Sequence, residues 1–414
     1  MPSRSDVTNF GAGPAALPTD VIEDAAQALV NYEGTGVGLA EWSHRSSKAV
    51  KIINEAKENL ASYLDIPNDY EILFMHGGGS GEFAAVAYNF VGAWVARKER
   101  ELASSGLELQ SAVTKLKMDY IVTGGWSQKA ADEAKRLFGS EHVNIAATSK
   151  KSDGTFGGTI PDESTWNLSQ DAAMVYYCDN ETVDGVEFPA FPTSLAPGAN
   201  GPIVVADMSS NILSRTIPIK NFSAIFFGAQ KNLGMTGITV VVINKRFLPQ
   251  PSADLMRKLG LPIPPRILEY DTIAKNNSLY NTLSIFDVYV AGQVLKRLLR
   301  QHPKVQGQQA IAEEKAQLIY GALEAHSDLY RIIPDKSVRS RMNICFRIEG
   351  GDASEKAFLD EAESLGFMGL KGHRSLGGIR ASNYNSISPE EAKKLAKFIN
   401  TFASQRGALA NEQK

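Results

Sequence analysis

Phe222-Ser-Ala-Ile-Phe-Phe-Gly-Ala-Gln-Lys231-Asn-Leu-Gly-Met-Thr-Gly-Ile-Thr-Val-Val-Val-Ile243 contains two short apolar runs, Ala224 to Ala229 and Ile238 to Ile243, β-branched or aromatic and bounded by glycine. The pattern predicts two buried strands joined by a tight connection, with Lys231 between them. An ammonium beside so much apolar surface loses hydration, which lowers its pKa and frees a neutral amine to attack an aldehyde. A lysine in such a turn can instead snorkel its ammonium into water.

The preceding run, Pro202-Ile-Val-Val-Ala-Asp207, is a third apolar strand, and it ends in a carboxylate. In open α/β sheets the strand carboxyl ends face the ligand crevice, which would put Asp207 and Lys231 on one rim. Pyridoxal phosphate uses such a pair: a lysine forms the Schiff base, and a carboxylate keeps the ring nitrogen protonated.

At 414 residues, 43% of them hydrophobic, the chain can fill two domains and a sizeable core. No run approaches the roughly 18 apolar residues of a membrane span. Only eight residues precede Asn9, so the expectation is no leader and a cytoplasmic protein. A net charge of −3 and a pI near 6.1 argue against a nucleic-acid surface. The two cysteines, Cys178 and Cys345, lie in apolar runs without metal or disulfide spacing and read as core residues in a reducing compartment.

Along the chain, Asn9-Phe-Gly-Ala-Gly-Pro14 is a loop entry, and a helix is expected from Thr19, as N-cap, to about Tyr32. Ser43-His44-Arg45 stands at the start of a second helix ending near Leu64, where backbone amides and the guanidinium can hold an anion. The strand Glu71 to Met75 runs into His76-Gly-Gly-Gly79-Ser80-Gly81 and a helix from Glu82, an anion site by construction. Gly79 to Ala84 also matches a dinucleotide fingerprint, but the acid-ending second strand that a Rossmann dehydrogenase needs about 20 residues on is replaced by a charged, helix-like stretch, 96 to 116.

The strand Met118 to Thr123 ends in Gly124-Gly125-Trp126, placing an indole where it can stack on a planar ring or fill the core. A further strand, Met174 to Cys178, leads to Asn180-Glu181-Thr182 at the same rim. Strand, loop and helix alternate from 71 to 243, the mark of a mostly parallel α/β sheet. A domain boundary is placed near 288, inside a helix from about Phe286 to Gln301. Beyond it come helices at 310–325, 353–365 and 389–402, a strand at 342–348, and a tail from Arg406 expected to be loose. Leu370 to Ser382 is dense in cations, which suits carboxylate and phosphate recognition.

With these motifs in order, the chain resembles the phosphoserine aminotransferases, class-V aminotransferases among the fold-type I pyridoxal-phosphate enzymes. The match is carried by Asn9 to Pro14, Ser43 to Arg45, His76 to Asn89, Gly124 to Trp126, Asn180 to Thr182, Ala206-Asp207, Gly228 to Asn232, Tyr280 to Thr282 and Lys371 to Asn385. The resemblance implies an N-terminal segment (1–16) packing with the small domain, a large domain (17–288) with a mostly parallel seven-stranded sheet, and a small C-terminal α+β domain (289–414).

It also implies that Lys231 is the Schiff-base lysine, that Asp207 pairs with the pyridine nitrogen, that Trp126 stacks on the ring, and that Thr182 bonds its phenolic oxygen. Gly79, Ser80 and Gln230 would hold the cofactor phosphate, joined by Asn281 and Thr282 from the other subunit of a homodimer. Arg380 would take the substrate α-carboxylate. His44 and Arg45 would take the distal anion of L-glutamate or 3-phosphohydroxypyruvate, helped by His373 and Arg374 across the interface. Ala12 stands where the family often has serine, and the segment 96–116 is longer than in bacterial relatives. Within the same fold a cysteine desulfurase would need a thiol on a mobile loop, and a silent scaffold would bind no cofactor.

Overall fold

The computed structural model describes residues 3–103, 108–198 and 201–412, with side chains described to residue 406. After β1 (Thr8–Asn9) come α1 (Thr19–Val30), α2 (Ser47–Leu64), β2 (Tyr70–Met75), α3 (Gly78–Leu102), α4 (Leu109–Val113), β3 (Met118–Val122), α5 (Gly125–Phe138) and β4 (Val143–Thr148). The middle of the chain gives β5 (Val175–Cys178), β6 (Asn180–Glu181), β7 (Val186–Glu187), β8 (Val204–Asp207), β9 (Ala224–Gly228), β10 (Thr239–Asn244), α6 (Ala253–Lys258) and α7 (Tyr270–Lys275). Last are α8 (Ile285–Gln301), α9 (Val305–Glu324), β11 (Tyr330–Ile332), β12 (Asn343–Ile348), α10 (Gly351–Ser364), β13 (Phe367–Met368), β14 (Ile379–Ser382) and α11 (Pro389–Glu412).

Seven strands in the order β2-β10-β9-β8-β5-β3-β4 form the main sheet, parallel except for β10, which runs against both neighbours. The continuous apolar runs have the reason expected of them: helices cover both faces, so both sides of each strand are buried. Ile225, Phe227 and Val204 point into a core shared with α2 and α8, while Phe226, Val205 and Val241 point into one shared with α3 and α5. Ser46 caps α2, its Oγ accepting from Ala49 N at 3.2 Å, and Ile53, Ala56 and Leu60 bury the helix's inner face. Burial of each large aliphatic side chain contributes about 1.5–3 kcal/mol.

The second sheet is antiparallel, in the order β11-β12-β14, with α9, α10 and α11 supplying core residues against it. Phe10, following β1, lies in that core, and β1 pairs with β13. Residue 288 falls inside α8, whose buried face belongs to the first core with α2.

Several boundaries move. Gly77 and Gly78 adopt φ of +109° and +62°, turning the chain directly from β2 into helix, so α3 begins at Gly78 and not at Glu82. Pro18, not Thr19, precedes α1, which ends at Val30. The charged stretch divides between α3 and α4, residues 104–107 lying outside the described residues. The sequence reading passed over β4, whose run Val-Asn-Ile-Ala-Ala-Thr carries a polar residue at the sheet edge. At the other end, α11 continues to Glu412 where a loose tail was expected from Arg406, and residues 413–414 lie outside the described residues. Among the described residues no helix is long and apolar enough to cross a membrane.

Candidate active site

Parallel β5 and β8 end side by side, Cys178 opposite Asp207, and β9 delivers the chain to Lys231 at the same edge. A cavity of about 360 Å³ opens there, lined by Lys231, Asp207, Trp126 and Thr182 among others. Lys231 is only 8% exposed, and its Nζ donates to Thr182 Oγ1 at 2.8 Å, so its ammonium does not snorkel. Burial draws its pKa down to about 8, opposed by the nearby Asp207 and Cys178. Asp207 is held by Ser209 N, which donates to Oδ1 at 2.8 Å, and by the Cys178 thiol 4.0 Å from Oδ2. Burial raises the Asp207 carboxyl, while the Ser209 bonds and the Lys231 charge lower it.

The opposite wall is the first turn of α3. Gly79 and Ser80 line the cavity with Gln230, and no side chain caps this helix. Gly77, Gly78 and Gly79 themselves line the cavity, so its space reaches the start of α3, where the free amides favour an anion. Trp126, in the first turn of α5, presents an aromatic wall, and its Nε1 is buried without a partner. A flat ring wall, a buried acid, a buried amine and an amide-lined helix start are the donor set a phosphorylated pyridine aldehyde requires, and these residues fit pyridoxal phosphate.

From the small sheet, β14 carries Arg380 into the cavity, where Nη1 donates to the Thr182 carbonyl at 3.3 Å and Nε is buried without a partner. His373, which the resemblance gives to the site across the interface, is also among the residues lining the cavity of its own chain. The cause is local: Gly372 N donates to Gly378 O, and Lys371 bridges to Ile379, folding the loop back along β14. Ser375 Oγ sits 2.7 Å from His373 Nδ1, and burial followed by the charges of Arg380, Lys129 and Arg374 lowers the imidazole pKa. Arg374 is exposed and outside the lining. His44 and Arg45, in the turn before α2, also lie outside it, as do the exposed Asn281 and Thr282. His44 Nε2 is buried without a partner, and the Thr282 carbonyl lies 3.0 Å from His76 Nε2.

Residues 7–395 match the model of the aminotransferase class-V family. The chain belongs to that family. This class-V aminotransferase is 41% identical to the phosphoserine aminotransferase of Saccharomyces cerevisiae over 97% of its own length and 98% of the relative's. It is likewise 41% identical to the Drosophila melanogaster phosphoserine aminotransferase, over 96% and 98%. Among solved structures, the phosphoserine aminotransferase from Bacillus circulans subsp. alkalophilus superposes with a TM-score of 0.81 at 36% identity, covering 96% of this chain and 98% of that one. A PLP-bound phosphoserine aminotransferase from Trichomonas vaginalis gives 0.80 at 33%, covering 95% and 99%.

Some of the aminotransferase's cavity residues escaped the sequence reading. Ser209 and Ser210 follow Asp207 into the lining, and Asn180 Nδ2 donates to Ser210 Oγ at 2.7 Å and to Asn343 Oδ1 at 2.8 Å, tying the two sheets together. Their signal was adjacency to residues already singled out at strand ends. Gly13 has a sharper requirement: its φ is +124°, and a Cβ would stand 3.3 Å from Lys231 Cγ.

Proposed function

We propose that the protein is a pyridoxal-phosphate-dependent aminotransferase that moves the amino group of L-glutamate to 3-phosphohydroxypyruvate, yielding 2-oxoglutarate and O-phospho-L-serine for L-serine biosynthesis. The observation that carries this reading is Lys231, an amine buried at the carboxyl edge of the sheet with Asp207 beside it and the open α3 amides across the cavity. Its near-full-length likeness to phosphoserine aminotransferases supports the substrates.

Pyridoxal phosphate, when bound, supplies the aldehyde that receives the amino group and a ring that accepts the electron pair left by the departing Cα proton. Asp207 would keep a proton at the ring nitrogen, and Trp126 would cover the ring. Gly79, Ser80 and Gln230 would hold the phosphate. Thr182, whose hydroxyl accepts from Lys231, would bond the phenolic oxygen. Lys231, its pKa about 8, is neutral often enough near physiological pH to take the Cα proton and later return it. Arg380 grips the α-carboxylate common to both substrates with its two-pronged donors. His44, Arg45, His373 and Arg374 meet the distal carboxylate or phosphate. One cationic cluster thus serves both half-reactions.

The exposure of Asn281 and Thr282, and the place of His44 and Arg45 outside this cavity, support a homodimer in which each chain completes the other's site. Two free, buried cysteines support a reducing, cytoplasmic setting, and their burial disfavours a desulfurase. The test is amino transfer from glutamate to 3-phosphohydroxypyruvate set against unphosphorylated keto acids. A large preference for the phosphorylated acceptor is expected; equal turnover of the others overturns the substrate assignment.

A further inference from the structure

We propose that Glu181 and Asp184 are positioning residues: from the β6–β7 hairpin they grip the first turn of α5 and hold the Trp126 indole in register with Thr182 and Lys231. The inference rests on the reading above, in which Trp126 covers the cofactor ring. Gly124, at the N-cap of α5, has no side chain to meet the helix's first amides; locally, Ser127 Oγ accepts from Gly124 N at 3.2 Å. Three consecutive amides are met from outside instead. Gly125 N donates to Asp184 Oδ2 at 3.0 Å, Trp126 N to Glu181 Oε2 at 2.9 Å, and Ser127 N to Glu181 Oε1 at 2.8 Å, while Ser127 Oγ donates to the same Oε1 at 2.5 Å.

The helix start is shaped around these carboxylates. A Cβ on Gly124 would stand 2.5 Å from Glu181 Cδ and 2.6 Å from Asp184 Oδ2, so glycine is what lets both acids reach. Glu181 is 0% exposed and Asp184 4%. Burial, and for Glu181 the charge of Asp184, pushes them up to about 7 and about 6 against these hydrogen bonds. Two adjacent buried acids are a costly way to cap a helix that a single serine can cap. What they add is registry. Between them lies Thr182, whose hydroxyl accepts from Lys231 Nζ and whose carbonyl accepts from Arg380 Nη1. One short segment therefore fixes the aromatic wall, the amine and the guanidinium relative to one another.

The two acids differ in what an amide can replace. Glu181 accepts through both oxygens, so Glu181→Gln leaves either Trp126 N or Ser127 N facing an NH2 group. Asp184 accepts through one oxygen, so Asp184→Asn can keep its bond, whereas Asp184→Ala cannot.

The experiment uses purified apo-protein of the wild type and of the Glu181→Gln, Asp184→Asn and Asp184→Ala variants, titrated with pyridoxal phosphate. Quenching of tryptophan fluorescence gives the affinity, and the induced circular dichroism of the bound cofactor reports its orientation. Melting temperatures are recorded alongside. Glu181→Gln is expected to weaken cofactor binding about tenfold and to reduce the induced signal, Asp184→Ala to weaken binding about threefold, and Asp184→Asn to stay within about twofold of wild type, as loss of a charge-assisted hydrogen bond predicts. Wild-type affinity and dichroism in Glu181→Gln overturn the proposal whatever its melting temperature, and so does equal damage in Asp184→Asn. If Glu181→Gln does not fold, Asp184→Ala decides by the same measure. A wild-type apo-protein that takes up no pyridoxal phosphate overturns the functional reading and this inference with it.

Discussion

Lys231 is a buried amine whose ionisation the fold shifts, and its chemistry should follow pH accordingly. Only the neutral amine attacks an aldehyde, so the rate at which apo-protein takes up pyridoxal phosphate should rise with pH around a midpoint near 8, read from the absorbance of the bound cofactor. Lys231→Ala should abolish covalent attachment and lower turnover by about 10³-fold, in the range expected for removing a positioned proton carrier. A pH-independent uptake rate would contradict the burial argument. The sign for stability is fixed as well: between about 8 and 10.5 the unfolded lysine holds a proton that the folded one has released, so this group's contribution to stability increases as pH rises through that window. At this scale the sequence was informative where a charged residue terminated or interrupted an apolar run, as Asp207 and Lys231 do. It put Glu181 at the rim without a role and did not mark Asp184 at all, because what the two acids do arises from a hairpin meeting a helix more than 50 residues earlier in the chain.

Elements held by buried charge are the next level, and α9 supplies the plainest case. Lys315 is 0% exposed, and its Nζ donates to the carbonyls of Tyr384 at 2.8 Å, Ile387 at 2.7 Å and Asn383 at 3.3 Å. Burial lowers its pKa to about 7, opposed by Glu391. The loop it gathers reaches the active site: Asn385 N donates to the Asn232 side chain at 2.9 Å, next to Lys231, and the Tyr384 hydroxyl donates to the Ala12 carbonyl at 3.0 Å. Lys315→Met keeps the bulk of the stem but leaves three carbonyls without that donor, a loss of about 2–3 kcal/mol. The melting temperature should fall by a few degrees, and KM for both substrates should rise as the Arg380 strand loses its anchor. An unchanged melting temperature would show the loop to be held by other bonds. Nothing in the run Ala312-Glu-Glu-Lys315 marks this lysine as interior, since its acceptors come some 70 residues later. The apolar periods placed α9 and β12 well, because those follow from each element's own buried face.

Across the whole molecule, the centre of the sheet was legible because β5, β8 and β9 are buried on both faces and read as apolar runs, whereas β4, at one edge, is only half buried, with its Asn144 and Ile145 partly exposed and Thr148 exposed, and gives a weaker run. The completeness of one chain's site is a different matter. His373 and Arg380 reach the cavity beside Lys231, but His44, Arg45, Asn281 and Thr282 do not. The apolar Val37 and Tyr280, close in sequence to those two segments, are 38% and 40% exposed. If each site draws Lys231 from one chain and Arg45 from its partner, a Lys231→Ala chain and an Arg45→Ala chain carry complementary defects. Mixed after denaturation and refolding in equal amounts, half of the dimers pair one variant with the other, and each such dimer has one site with both defects and one with neither. Each inactive alone, the two variants should together recover about a quarter of wild-type turnover per chain, as random pairing in a two-fold dimer requires. Sites built within single chains would recover none, because every Lys231 would still be accompanied by its own chain's missing Arg45. The same mixture run through size-exclusion chromatography at dimer mass, with turnover at baseline, would therefore assign Arg45 to its own chain's site while leaving the dimer intact.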